Sequence, residues 1–158
     1  MREVVPNDIE RAAESVATAL RLTVDADWSV RAGELEWDVA QTVVHLLGAP
    51  AKYALCLASR STRFIALRVD RYHDATQEEL VNSIAPVAAA LATIAAATPK
   101  GTMAYHSYGM TDAAGFIAKG CVEMLVHGWD VTRGLGVHLD APERHGSSDP
   151  QAQRGRDT

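Results

Sequence analysis

The chain has 158 residues, a formal net charge of -5 and 47% apolar residues. This length suits one domain with its own core, and the apolar content is too high for a disordered chain. The acidic balance argues against binding to nucleic acid or to anionic membranes, which attract basic surfaces. Alanine is abundant and aromatic residues make up only 6%, which favours packed helices over a β-sandwich. Because there is no apolar signal segment and no continuous apolar run of spanning length, we expect a cytoplasmic protein without a membrane partner.

The first two predicted helices show apolar residues at helical spacing. Helix one is expected over residues 6–24. Helix two is expected to begin near Asp38, which can cap it, and Pro50 should kink or interrupt it. Between them lie Trp28 and Trp37, which we interpret as packing over one end of a bundle, because an indole ring buries a large apolar area.

Residues 61–75 change character and predict a long connection rather than a helix. Such a crossover allows two neighbouring helices to run parallel, as in some four-helix bundles. Thr76 and Glu79 form a capping box that should start helix three. Pro86 lies within that helix and conflicts with it locally. The breaker cluster over residues 98–101 should end it.

The longest predicted helix runs from Thr111, which can cap it, to Gly136, and it follows a predicted loop over residues 101–110. Its apolar positions alternate between spacings of four and three, which is typical of a bundle helix. These positions are Ile117, Cys121, Met124, Gly128, Val131 and Leu135. Glu123 and His127 flank this seam one turn apart on the same face. Burying either without a partner would be costly, so each should have one.

The sequence after residue 140 is polar and rich in glycine, proline and serine. We therefore predict one bundle domain over residues 1–140 and a disordered tail over residues 141–158. Cys56 and Cys121 lie in apolar helical stretches and form no CxxC motif, so we interpret both as reduced core residues. A homodimer is one option, because a bundle with an uncovered seam can associate with a second copy.

His45, Glu123 and His127 are the candidate metal ligands. A divalent ion held by two imidazoles and one carboxylate needs ligands that converge from facing helices. His45 in helix two and the Glu123/His127 pair in helix four meet that requirement if the two helices are neighbours. Three protein ligands would leave positions for water or substrate, which is typical of catalytic sites. The alternative is a structural bundle in which Glu123 pairs with a lysine or arginine and His45 points away from it.

These segments resemble those of a known family. The resemblance is carried by WDVAQTVVHLLG around His45 and by YHSYGMTDAAGFIAKGCVEMLVHGWDVTRGLG at the last helix. Both are similar to the mycothiol-dependent maleylpyruvate isomerase family, and the likeness to its N-terminal metal-binding domain covers roughly residues 6–137. It implies an all-α, DinB-like four-helix bundle with a long crossover between helices two and three. It also implies that His45, Glu123 and His127 bind a divalent cation, usually zinc.

The resemblance further implies an enzyme that uses mycothiol for thiol transfer to a small electrophile or for its cis-trans isomerisation. His106 lies in a Y-H-x-x-G stretch that similar sequences carry, so it is expected either to support a metal ligand from behind or to face the cofactor or substrate, with loop packing as the alternative. Asp130 could bond to a neighbouring helix or orient an imidazole.

One feature departs from the family pattern. The full isomerases resemble two-domain proteins whose C-terminal domain contributes a basic residue to the thiol and substrate site. Here a polar segment follows the bundle, which suggests a single-domain relative or the loss of the second domain. The alternative function is therefore a non-catalytic metal- or ligand-binding bundle, either stress-related or a dimerisation module.

Overall fold

The computed structural model describes residues 3–142, and this part of the chain is mostly helical. Its elements, in chain order, are α1 (Asn7–Arg21), α2 (Val39–Ser59), α3 (Gln77–Asn82), α4 (Ile84–Ala97), β1 (Ala104–His106), β2 (Gly109–Thr111) and α5 (Ala113–Leu135). The predicted disordered tail lies outside the described residues, except for its first two positions, and stays a prediction.

The four long helices share one hydrophobic core. α1 and α2 each pack against both α4 and α5, and α4 also contacts α5. All four contribute fully buried side chains, among them Ile9, Leu20, Leu46, Ile84, Leu91, Phe116 and Met124. This packing places α2 directly beside α5, which is the arrangement that the predicted metal site requires.

The start of α2 agrees with the sequence prediction, whereas the start of α5 differs by one residue. Asp38 caps α2, because its Oδ1 accepts a hydrogen bond from the Gln41 N–H at 2.7 Å and the Gln41 side chain bonds back to it. Thr111 does not cap α5, since it belongs to β2. Asp112 is the cap, and its carboxylate accepts a hydrogen bond from the Gly115 N–H at 2.8 Å.

The predicted third helix is divided into two. α3 begins after a reciprocal cap between Thr76 and Glu79, as predicted. The helix is interrupted at Ser83, and α4 begins immediately after this residue. Pro86 therefore lies in the first turn of α4, where backbone N–H groups have no acceptor within the helix, so its missing N–H costs no hydrogen bond.

α2 continues through Pro50 without interruption, so the break that the sequence allowed at this position does not occur. A proline inside a helix costs about 3 kcal/mol. The turns that follow it are buried and include Tyr53, Ala54, Cys56 and Leu57. Burial of a large apolar side chain stabilises by about 1.5–3 kcal/mol, so the packing of this half offsets the cost of the proline.

Residues 60–76 form the long connection between α2 and α3, as predicted, and contain neither helix nor strand. The connection lies against α2. A Cβ added at Gly48 would stand 3.2 Å from the Cβ of Val69, and the ammonium group of Lys52 lies 4.1 Å from the ring centroid of Phe64. The connection therefore forms a wall beside the helix that carries His45.

The predicted loop over residues 101–110 contains a short antiparallel hairpin instead, with His106 paired to Gly109. Its strands have three residues each, too few for an alternating pattern to stand out in the sequence. The Tyr105 N–H donates to the Ser61 carbonyl at 2.7 Å. This bond holds the hairpin beside the start of the connection.

Within residues 3–142, one segment, Gln77–Ala97, has the length and apolar composition that a membrane span would need. It comprises α3 and α4, and α4 packs against α1, α2 and α5. A helix that contributes to the core of a helical protein meets the same criteria, so the segment supports membrane insertion only weakly. The absence of a membrane partner stays a prediction.

Candidate metal centre

The three predicted ligand residues meet where α2 packs against α5. The Nε2 atoms of His45 and His127 each lie 3.2 Å from Oε2 of Glu123. One ligand atom from each residue lies within 4.8 Å of the others. The alternative in which His45 points away from Glu123 is therefore wrong.

The two nitrogen–oxygen distances of 3.2 Å fit a shared divalent ion. Two atoms bound to a tetrahedral ion at about 2.0–2.1 Å stand about 3.3 Å apart. Two imidazole nitrogens with one carboxylate oxygen also form a donor set of catalytic zinc sites. The side chains of His45, Glu123 and His127 are 40%, 25% and 19% exposed, so molecules from solvent can reach the point between them.

Without a metal ion, hydrogen bonds from the two histidines to Glu123 hold the three side chains together. Hydrogen bonds from His127, and then from His45, keep the pKa of Glu123 far below its ordinary value despite partial burial. The hydrogen bond to Glu123 in turn raises the pKa of His127, with burial acting in the opposite direction. A metal ion would compete with these protons, because it binds neutral imidazole.

Asp130 faces the second ring nitrogen of His127. Its Oδ2 lies 3.6 Å from Nδ1, slightly beyond hydrogen-bond range, and Nδ1 is buried with no hydrogen-bond partner among the described residues. If Nε2 binds a metal, the proton lies on Nδ1, and a carboxylate is a common acceptor for it. The position of Asp130 fits the orienting role that the sequence suggested.

Tyr53 is a site residue that the sequence pattern did not reveal. It lies eight residues after His45, on the same face of α2, and is only 8% exposed. Its O–H donates to Oε1 of Glu123 at 3.2 Å. Burial, and then the Glu123 carboxylate, raise the pKa of Tyr53 well above its ordinary value, so the hydroxyl remains a donor at neutral pH.

His106 lies behind Tyr53 rather than among the three candidate ligands. Its Nε2 is 3.4 Å from the Tyr53 oxygen, and its Nδ1 is 3.3 Å from the backbone N of Tyr108. Burial, and then the charge of Lys119, lower the pKa of His106. His106 also lines a cleft that opens beside the three ligands, and its role towards a cofactor stays a prediction.

A cleft of about 810 Å³ opens beside the cluster. Its walls come from α2, the connection and the hairpin, and Glu123 lies on its lining. The aromatic and basic side chains that line it include Trp37, Phe64, Tyr105, Tyr108, Lys52, Arg68 and Arg71. Because Glu123 lies on this lining, a small molecule bound in the cleft would stand beside the cluster.

The two tryptophans have different environments. Trp28 is 2% exposed and donates to the Thr23 carbonyl at 2.9 Å, which agrees with the predicted packing role. Trp37 is 44% exposed, and its ring centroid lies 5.1 Å from that of His45. The packing role predicted for Trp37 is therefore wrong, because this side chain lines the cleft.

Neither cysteine presents a ready nucleophile. Both are free thiols, as predicted. Burial raises the pKa of Cys56, and burial followed by the charge of Asp8 raises the pKa of Cys121 to about 11. Both thiols are therefore protonated at neutral pH, and a reactive thiolate at this site would have to belong to a bound molecule.

The fold and the cluster define a mostly helical protein with a candidate three-ligand metal centre beside an open cleft. Residues 9–132 match the family model of the mycothiol maleylpyruvate isomerase N-terminal domain. Because the match covers well over half of the chain, the chain belongs to this family. The resemblance noted in the sequence is thereby confirmed. Comparisons with curated proteins and with solved structures gave no significant match.

Proposed function

We propose that this protein is a metal-dependent enzyme that uses a low-molecular-weight thiol, with mycothiol as the first candidate, on a small electrophile. The reaction would be thiol transfer, or cis-trans isomerisation by reversible addition of the thiol. The carrying observation is that His45, Glu123 and His127 converge beside an open cleft in a member of this family. The four packed helices and the long connection support a DinB-like four-helix bundle as the fold.

In this proposal His45 and His127 hold a divalent ion through Nε2, and Glu123 holds it through Oε2. Zinc is the first candidate because of the donor set. When bound, such an ion lowers the pKa of a coordinating thiol and keeps it as a thiolate at neutral pH. The negative charge of Asp130, 3.6 Å from Nδ1 of His127, would favour a proton on Nδ1 and so leave Nε2 free to bind the ion.

The cleft has room for a thiol cofactor and a small substrate together. Its volume of about 810 Å³ falls within the usual range for small-molecule sites, about 300–1,000 Å³. Trp37, Phe64 and Tyr108 offer apolar and stacking surface, and the Lys52 ammonium offers hydrogen-bond donors. Because such thiols are kept reduced inside cells, we place the protein in the cytoplasm. A homodimer and the absence of a nucleic-acid partner stay predictions.

The test measures metal content first and turnover second. After chelation and reconstitution with zinc, we expect one ion per chain, and mycothiol-dependent turnover of an electrophile such as maleylpyruvate. His127→Ala should lose both. His138→Ala is the matched control, because its side chain is 86% exposed, and it should keep both.

Two results would contradict the proposal in different ways. If the reconstituted protein binds neither zinc nor any other divalent metal in stoichiometric amount, the proposed metal centre is wrong. If it binds one ion per chain but shows no thiol-dependent turnover, the non-catalytic metal-binding bundle is the better description.

A further inference from the structure

We infer that Tyr53 and His106 are positioning residues that hold Glu123 as a one-oxygen ligand of the metal centre. The inference rests on the metal binding in the proposed function. It is drawn from a chain of three hydrogen bonds that runs from the hairpin to the carboxylate: Tyr108 to His106, His106 to Tyr53, and Tyr53 to Glu123.

The direction of this chain is fixed at the hairpin. A backbone N–H only donates, so Nδ1 of His106 must accept the bond from Tyr108 over 3.3 Å. In a neutral imidazole the proton then lies on Nε2, which faces the Tyr53 oxygen at 3.4 Å. The Tyr53 oxygen accepts this bond, and its own hydrogen is directed to Oε1 of Glu123 at 3.2 Å.

This chain of hydrogen bonds gives the two oxygens of Glu123 different partners. Oε1 is engaged by Tyr53, while Oε2 lies 3.2 Å from both histidine Nε2 atoms. A carboxylate without such a partner can bind a metal ion through both oxygens. Engagement of Oε1 therefore selects Oε2 as the ligand and leaves one more coordination position for a thiol, water or substrate.

Packing fixes the side chains of this hydrogen-bond chain, so that they can hold Glu123 in one orientation. The Tyr53 ring is buried, and its centroid lies 5.6 Å from that of Phe116 and 5.3 Å from that of His106. The hairpin is held in turn by the bond from the Tyr105 N–H to the Ser61 carbonyl. Side chains locked by packing and by hydrogen bonds can fix a metal ligand in one orientation.

Tyr53→Phe removes the hydroxyl and keeps the ring. We expect zinc affinity, measured by competition with a chromophoric chelator at fixed pH, to fall by about 10–100-fold. In the Co²⁺-substituted protein the visible absorption should weaken, because binding through both Glu123 oxygens raises the coordination number. Tyr72→Phe is the matched control, since Tyr72 is 82% exposed, and it should leave both readouts unchanged.

His106 provides the second test of the chain. His106→Leu cannot donate to Tyr53 and should reproduce the effect of Tyr53→Phe, whereas His106→Gln retains a donor and should restore most of the affinity. If Tyr53→Phe does not fold, as judged by circular dichroism, the His106 pair decides the question by the same two readouts.

The outcomes separate the inference from the proposed function. Wild-type zinc affinity in Tyr53→Phe and His106→Leu would overturn the inference and leave the metal centre intact. A lower affinity with an unchanged Co²⁺ spectrum would also overturn it, because that result indicates a general structural effect. Failure of the wild-type protein to bind any metal would instead contradict the proposed function.

Discussion

His45 and Glu123 are 78 residues apart in the chain, yet Nε2 of the first lies 3.2 Å from Oε2 of the second. The contact exists because α2 packs directly against α5. A metal ion bound here would connect two helices of the core. Metal binding and folding stability are therefore linked, since an ion that binds only the folded state stabilises it.

Glu123→Gln should weaken zinc binding by more than about 100-fold. The change preserves the shape of the side chain and removes the negative charge that both histidines face. Loss of an outer hydrogen-bond partner of a metal ligand typically costs about 10–100-fold in affinity, and loss of a direct ligand should cost more. Competition titration against a chelator measures the effect. Glu10→Gln, at an exposed position of α1, is the control, and wild-type affinity in Glu123→Gln would exclude Glu123 as a ligand.

Asp130→Asn should weaken zinc binding by about 10-fold. The carboxylate of Asp130 lies 3.6 Å from Nδ1 of His127, and its charge favours the tautomer that leaves Nε2 free. An amide oxygen can still accept a hydrogen bond, so the loss should be at the lower end of the usual range. Asp140→Asn provides a matched control, because the Asp140 side chain is 94% exposed. An unchanged affinity in Asp130→Asn would mean that Asp130 does not orient the imidazole.

The stability of the metal-free protein should depend on pH through the Glu123/His127 pair. The raised pKa of His127 adds stability that is fully present below about pH 6.5 and is lost as the pH rises through the raised value. The lowered pKa of Glu123 adds stability that is present above about pH 4.3 and is lost as the pH falls. The pair should therefore stabilise the metal-free protein most between about pH 4.5 and 6.5.

The stabilisation of the protein by zinc should increase as the pH rises, because zinc binds only the neutral imidazole. With free zinc at 100 times Kd, we expect Tm to rise by about 5–10 °C at pH 7.5 and to change little at pH 5. Thermal unfolding with and without zinc at both pH values measures this difference. His127→Ala should show no zinc-dependent rise at either pH. Equal shifts at pH 5 and 7.5 would contradict a histidine-based site.

Local signals explain why much of the helical structure could be predicted. Asp38 and the Thr76/Glu79 box each bond to a backbone group within three residues, and Gly136 ends α5 with a positive φ of 70°. Such signals depend only on adjacent sequence. The break at Ser83 was not predicted, because the apolar pattern continues across it.

The candidate site depends on contacts that adjacent sequence does not encode. Helix positions and the resemblance together pointed to His45, Glu123 and His127, but their convergence requires the relative rotation of α2 and α5, which spacing alone does not give. Tyr53 and Trp37 were missed for a related reason. Each has a large apolar ring that could equally pack in a core, and only the positions of Glu123 and His45 show what each side chain contacts.

Gly128 lies where α5 packs closely against α1, and Gly128→Ala should destabilise the metal-free protein. A Cβ at Gly128 would lie 2.5 Å from Cγ2 of Val16, which is fully buried. The β-branched side chain has one strongly preferred rotamer in a helix and cannot move aside cheaply. Overpacking of a core costs about 1–3 kcal/mol, which exceeds the gain of about 1 kcal/mol from replacing glycine by alanine within a helix.

We therefore expect Gly128→Ala to lower the free energy of unfolding by about 1 kcal/mol, as measured by urea denaturation in the presence of a chelator. Val122→Ala is the control on the same helix, because Val122 is 59% exposed and the change should stay within about 0.5 kcal/mol. An increase in stability for Gly128→Ala would show that helix propensity dominates at this position. In that case the close approach of α5 to α1 would not depend on the missing side chain.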